Sequence, residues 1–154
     1  MKKKMVAFLL LMAVALTGIW AGNVESKAAE TLEDMPVSYL LLDDALVGYT
    51  ERQTWGVYLM DGYSSINDAG NGRIGCGGVT NAARRCTVSV NTVIERKVNG
   101  SWTRITSFSE TNENAIYASV SKYLSVTSGY YYRARSMHYA GSDMSASYTD
   151  ALWM

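Results

Sequence analysis

Residues 86–98 read CTVSVNTVIERKV, and Asn99-Gly100 follows at once. Cys86, Val88, Val90, Thr92 and Ile94 fall on one face of an extended chain. Thr87, Ser89, Asn91, Glu95 and Lys97 fall on the other. Apolar and polar residues alternating with period two are what a strand with one buried face requires. Asn and Gly both tolerate positive φ, so Asn99-Gly100 predicts a two-residue hairpin turn. That turn sets a register: Val98 faces Ser101, Lys97 lies beside Trp102, Glu95 faces Arg104 and Ile94 faces Ile105. An opposite-charge pair on one face and an apolar pair on the other support it.

Outward from this hairpin the same periodicity continues. In 116–126 the positions Ile116, Ala118, Val120, Leu124 and Val126 share a face, with Lys122 as the exception. Thr127-Ser128-Gly129 reads as a turn, 130–140 as the next strand, and Gly141-Ser142-Asp143 as its end. The stretch 144–148 reads as another strand, with Ser145 and Ser147 outward. Upstream, 56–66 and 73–79 are weaker candidates, interrupted at Gly62 and Asn71-Gly72. No amphipathic helical run follows residue 52. The prediction is an all-β protein: an antiparallel β-sandwich, immunoglobulin-like, or a small barrel, of six to eight short strands.

The chain has 154 residues, which suits a single domain. Its 14 Lys and Arg balance its 14 Asp and Glu. That balance argues against a nucleic-acid binder, which carries a basic excess. The charge is unevenly placed. Residues 30–51 hold Glu30, Glu33, Asp34, Asp43, Asp44 and Glu51 and no Lys or Arg; residues 52–154 carry ten cations against seven acids.

The N-terminus has the three parts of a secretory signal: Lys2-Lys3-Lys4, an uncharged apolar run through Trp20, then polar residues from Asn23. Small residues predict cleavage after Ala21, Ala28 or Ala29. The apolar run is short of the roughly 20 residues that span a bilayer, so no stable membrane anchor is expected. The resulting layout is a signal peptide at 1–28 forming a helix, an acidic extension at 29–54, and a sandwich at 55–154. Opposite charges predict that the acidic extension folds back on the Arg-bearing face of the domain.

The stretch 126–135, VTSGYYYRAR, looks like the tyrosine corner of immunoglobulin-like and fibronectin type III sandwiches, with Tyr132 as the corner residue. Ser128 replaces the usual Pro. Wider stretches resemble a family of small secreted proteins from Gram-positive bacteria, domain of unknown function 6147. They are the Lys-rich leader, YLMDGYSSI at 58–66, ERKVNGSW at 95–102, GYYYRARSMH at 129–138 and TDALW at 149–153. The resemblance implies an exported protein and carries no activity.

Cys76 and Cys86 are the only cysteines. An even count in an exported chain predicts a disulfide, closing a loop with Gly77 and Gly78 and contributing about 3 kcal/mol. Two reduced thiols are the alternative. Two Cys and one distant His do not make a metal site. The loop 67–72, NDAGNG, lacks the alternating oxygens and closing Glu of a calcium loop. His138 is the single His, so any Ser-His or Cys-His mechanism must use it, and parity with Tyr132 and Ala134 turns it inward. No nucleophile elbow, zinc-binding motif or phosphate loop is present, and Asp61, Glu95, Glu110 and Asp143 are scattered.

The outer face of 130–140 carries Tyr131, Arg133, Arg135, Met137 and Tyr139. Tyr and Arg are enriched at interfaces, though a cross-strand ladder with Ser, Thr or Glu neighbours is the commoner origin of such a stripe. These readings favour a secreted, non-enzymatic binding protein with no cofactor. Its partner would be a cell-wall polymer or an extracellular protein. A secreted hydrolase or hydrolase inhibitor, and a toxin- or bacteriocin-like effector, are the alternatives.

Overall fold

The computed structural model describes residues 32–34, 44–50 and 56–154. The expected signal peptide at 1–28 lies outside them. Eight strands follow in order: β1 (Leu32–Asp34), β2 (Leu46–Tyr49), β3 (Leu59–Gly70), β4 (Arg73–Val98), β5 (Ser101–Ser125), β6 (Tyr131–Ala140), β7 (Asp143–Tyr148) and β8 (Leu152–Trp153). Every pairing is antiparallel.

Two of these strands are not short. β4 has 26 residues and β5 has 25. Each runs through both halves of one eight-stranded sheet. The first half of β4 pairs with β3 and with the second half of β5, extending to β1 and β2 at the two edges. Its second half pairs with β6 and with the first half of β5; β7 and β8 add to β6. All eight strands belong to one sheet whose two halves face each other, and the shared hairpin bends from one half to the other, giving a sandwich that nearly closes into a barrel. The turn lies at Ala82–Arg85, where register slips: Asn81 pairs Tyr117, but Cys86 pairs Ala115. Bulged residues let a strand bend and twist out of one layer into the other. The segments 73–79 and 86–98, separate in the sequence reading, are therefore one bent strand.

The hairpin turn forms as its chemistry dictates, with Asn99 at φ 50° and Gly100 at φ 82°. Val98 pairs Ser101, Lys97 pairs Trp102 and Glu95 pairs Arg104. Beyond that the register differs from expectation. Ile94 pairs Thr106, not Ile105, because Ile105 is an extra residue in β5 at a bulge.

The interior has two apolar clusters. One holds Ile66, Ile74, Cys76, Ile94, Leu124, Tyr132 and Ala134; the other holds Ala82, Val88, Val90, Ala118 and Ala140. Burying each Ile or Leu contributes roughly 1.5–3 kcal/mol. Between the clusters lies a polar belt of Ser64, Thr80, Thr92, Ser136, His138 and Ser147, all sealed from solvent. Small residues bring the two halves close here. A Cβ on Gly62 would stand 2.5 Å from Nδ1 of His138, and one on Gly78 would collide with the hydroxyls of Ser136 and Thr92. Ser147 accordingly points inward, and Met144 and Tyr148 point out, the reverse of the expectation for β7. The pattern misled because the interior at this level is itself polar.

Tyr132 is buried, and its hydroxyl donates to the Thr127 carbonyl at 2.7 Å, the contact a tyrosine corner makes. At the far end the Asp143 carboxylate accepts the backbone N–H groups of Tyr58 (2.6 Å) and Leu59 (3.0 Å), tying β7 to the start of β3. Those donors hold its pKa below the usual carboxylate range.

The acidic stretch behaves differently from a free arm. Its described parts, β1 and β2, are edge strands on β5 and β3.

Candidate binding face

β6 alternates without a break: Tyr132, Ala134, Ser136, His138 and Ala140 are buried, while Tyr131, Arg133, Arg135, Met137 and Tyr139 face out. The five outer residues named from the sequence thus stand together. Their neighbours come from β4, β5, β7 and β8. Register places Glu95 beside Arg133, Tyr148 beside Arg135, Met144 beside Tyr139 and Trp153 beside Tyr131.

The centre of the face is charged. Nε and Nη2 of Arg133 both lie 2.6 Å from Oε2 of Glu95, and Nε of Arg135 lies 3.5 Å from Oε1. Glu95 is nearly buried, with 10% of its side chain exposed. The Arg133 guanidinium also stacks 4.3 Å from the Trp102 ring centre and stands 5.7 Å from that of Tyr148. Such cation–π contacts contribute about 0.5–2 kcal/mol each, depending on exposure. Lys97 Nζ sits 5.8 Å from the same Trp102 ring. Arg104 donates to the Ser107 hydroxyl. Lys97, Arg104, Arg133 and Arg135 against Glu95 alone give this group a balance of plus three.

Aromatic rings flank that centre. Tyr131 and Trp153 meet edge-to-face, centroids 4.8 Å apart and planes at 62°. Trp153 is 57% exposed and Tyr148 is 51% exposed; Tyr131, Tyr139 and Met144 are also exposed. Sequence reasoning missed Trp153, Tyr148 and Met144 as members of this face. It had placed Glu95 opposite Arg104 and Lys97 beside Trp102, but nothing local links that hairpin to β6.

The predicted Cys76–Cys86 disulfide is not formed; both thiols are free. The two residues lie ten apart on β4, an extended strand that advances about 3.3 Å per residue, whereas a disulfide needs Cα atoms within about 7 Å. Gly77 and Gly78, read as a flexible loop, are strand residues paired with β3 and β5. Cys76 is buried in the first apolar cluster and Cys86 packs against the second. Burial drives the Cys76 thiol pKa far up, away from thiolate character.

His138 is fully buried within the polar belt. Ser64 Oγ lies 2.8 Å from Ser136 Oγ and 2.7 Å from Ser147 Oγ, within hydrogen-bond reach of both. Thr80 Oγ1 donates to the Ser89 carbonyl at 3.0 Å, so it accepts from His138 Nδ1 at 2.8 Å, and Nε2 of the neutral ring accepts from Ser147 Oγ at 2.8 Å. Ser136 passes the chain on to Thr92 Oγ1 at 2.9 Å. Desolvation lowers the His138 pKa to about 4, with a small opposing pull from Asp61. The imidazole is neutral, held on both nitrogens and closed to any substrate. Among the described residues no three His, Cys, Asp or Glu side chains gather as a metal site.

No protein-family model matches the chain, and no curated protein does. The solution structure of CsgH from R. palustris is similar over 56% of this chain and 89% of that one, at 20% identity and a TM-score of 0.39.

Proposed function

We propose that this is an exported, non-enzymatic binding protein that holds its ligand on the outer face of β6 and the strands beside it. The single observation that carries the reading is the group of exposed rings, Trp153, Tyr148 and Tyr131, set around the nearly buried Glu95 with its two arginines. Trp, Tyr and Arg dominate binding energy at recognition sites because they offer large, stiff contact areas with polar handles. Glu95 restrains Arg133 and Arg135, so little side-chain freedom is lost on contact.

Export rests on the leader at 1–28 and on the resemblance to the secreted family; a cell-wall polymer or an extracellular protein is the partner. The enzyme reading has no comparable support. The one imidazole is sealed between the two halves of the sheet and spends both nitrogens on hydroxyls.

The test compares capture of cell-wall material and culture-surface proteins by the protein and by its Tyr148→Ala/Trp153→Ala variant. The reading expects capture to fall at least tenfold in a variant of unchanged thermal midpoint. Equal capture by both would remove this face from consideration.

A further inference from the structure

We propose that the ligand of this face is an anionic polysaccharide, its sugar rings lying on Tyr148 and Trp153 and its carboxylate or phosphate groups pairing with Arg135, Arg104 and Lys97. The proposal rests on the binding-face reading and narrows it to one class of ligand.

Three observations select that class. The first is where the charges stand. Protein-binding patches place apolar residues at the centre and polar residues at the rim. Here Arg133, Glu95 and Arg104 form one row across β6, β4 and β5, and the exposed rings lie to its sides. A protein partner would have to desolvate that central row. A sugar polymer offers hydroxyls to pair with it.

The second observation is the sign of the charge. Four cations against one acid repel a second copy of the same face, and in a surface cleft or sheet they raise the local concentration of an anion. The third is the form of the aromatic surface. Trp153 pairs edge-to-face with Tyr131, whereas Tyr148 stands beside Arg135 and 5.7 Å from the Arg133 guanidinium, so charged groups are interleaved with the rings. The C–H face of a sugar is weakly positive and stacks on the negative face of a ring, while its hydroxyls need polar partners between the rings. A neutral sugar would satisfy the rings and leave the cations unused. Single-stranded nucleic acid also combines rings and cations, and the test includes it.

The experiment is affinity electrophoresis of the protein in native gels containing phosphomannan, polygalacturonate, neutral mannan or an oligothymidylate. Retardation by phosphomannan, by polygalacturonate or by both supports the proposal and names the anion, provided mannan retards at least tenfold less. Raising NaCl from about 50 mM to about 500 mM should weaken that retardation severalfold by screening. Tyr148→Ala/Trp153→Ala should weaken it at least tenfold. Arg135→Gln, at a half-exposed position outside the core, should weaken it about threefold and provides a second test should the double variant fold poorly.

Equal retardation by mannan, or tighter binding of oligothymidylate, overturns the ligand class. So does the absence of retardation in every gel when wall or surface material is still captured and the double variant loses it; the face then stands without this ligand. Capture that survives the double variant unchanged overturns both.

Discussion

The two faces of β6 are built from alternate residues of one strand, and they handle polarity in opposite ways. The inner face carries Ser136 and His138, uncharged and linked through Ser64, Ser147, Thr80 and Thr92. The outer face carries Arg133 and Arg135, charged and anchored to Glu95. Inside, a charge would cost several kcal/mol, so only neutral groups with matched donors and acceptors persist. Outside, water pays part of the solvation, so charges can stand beside rings. Disturbing the inner face should therefore cost stability, and disturbing the outer face should cost binding.

The largest effect is expected at Tyr132. Tyr132→Ala empties a fully buried site in the first apolar cluster and frees the Thr127 carbonyl, so the folded state should lose about 3–5 kcal/mol in urea unfolding. Tyr132→Phe keeps the ring and should lose about 1 kcal/mol.

Next comes pH. His138 titrates near 4 in the fold and near 6.5 when unfolded, so between those values the unfolded chain binds the additional proton. Stability should be unaffected by this group above about pH 6.5 and fall as pH drops towards about 4, by about 3 kcal/mol in all. Urea midpoints measured across that window, with His138→Gln as the control that flattens the slope, check the sign and size.

A smaller loss follows from the hydroxyls. Ser136→Ala leaves Ser64 and Thr92 each short of a partner in a dry interior, and about 2 kcal/mol should be lost. A water filling the vacated space would halve that figure.

The smallest stability effect belongs to the outer face. Glu95→Gln removes the anchor of two partly exposed arginines and should cost about 1–2 kcal/mol by chemical denaturation. If it cost as much as Tyr132→Ala, the contrast between the two faces would collapse.

Much of this was legible in local sequence. The alternation of 131–140, the Asn99-Gly100 turn, the Glu95–Arg104 pair and the Tyr132 corner contact are set within a few residues of one another. Other features were not. Ile105 slips out of register at a bulge that no residue type announces. Ser147 turns inward because a polar belt awaits it from β3 and β6. Trp153 joins Tyr131 only through the pairing of β8 with β6. The cysteines, close in sequence, are held apart because the stretch between them is strand and not loop.

By itself the sequence determined the all-β class, the Asn99-Gly100 turn and which residues of β6 share a face. These follow from side-chain period and backbone preference, which act over one to four residues. Only the tertiary structure decided that β4 and β5 run through both halves of the sheet, that Arg133 meets Glu95 and Trp102, and that six hydroxyl and imidazole groups close into one belt. Those contacts join residues 31 to 83 positions apart as well as near neighbours. They depend on how the two halves pack on each other, a choice made by the burial of the whole interior rather than by any single segment.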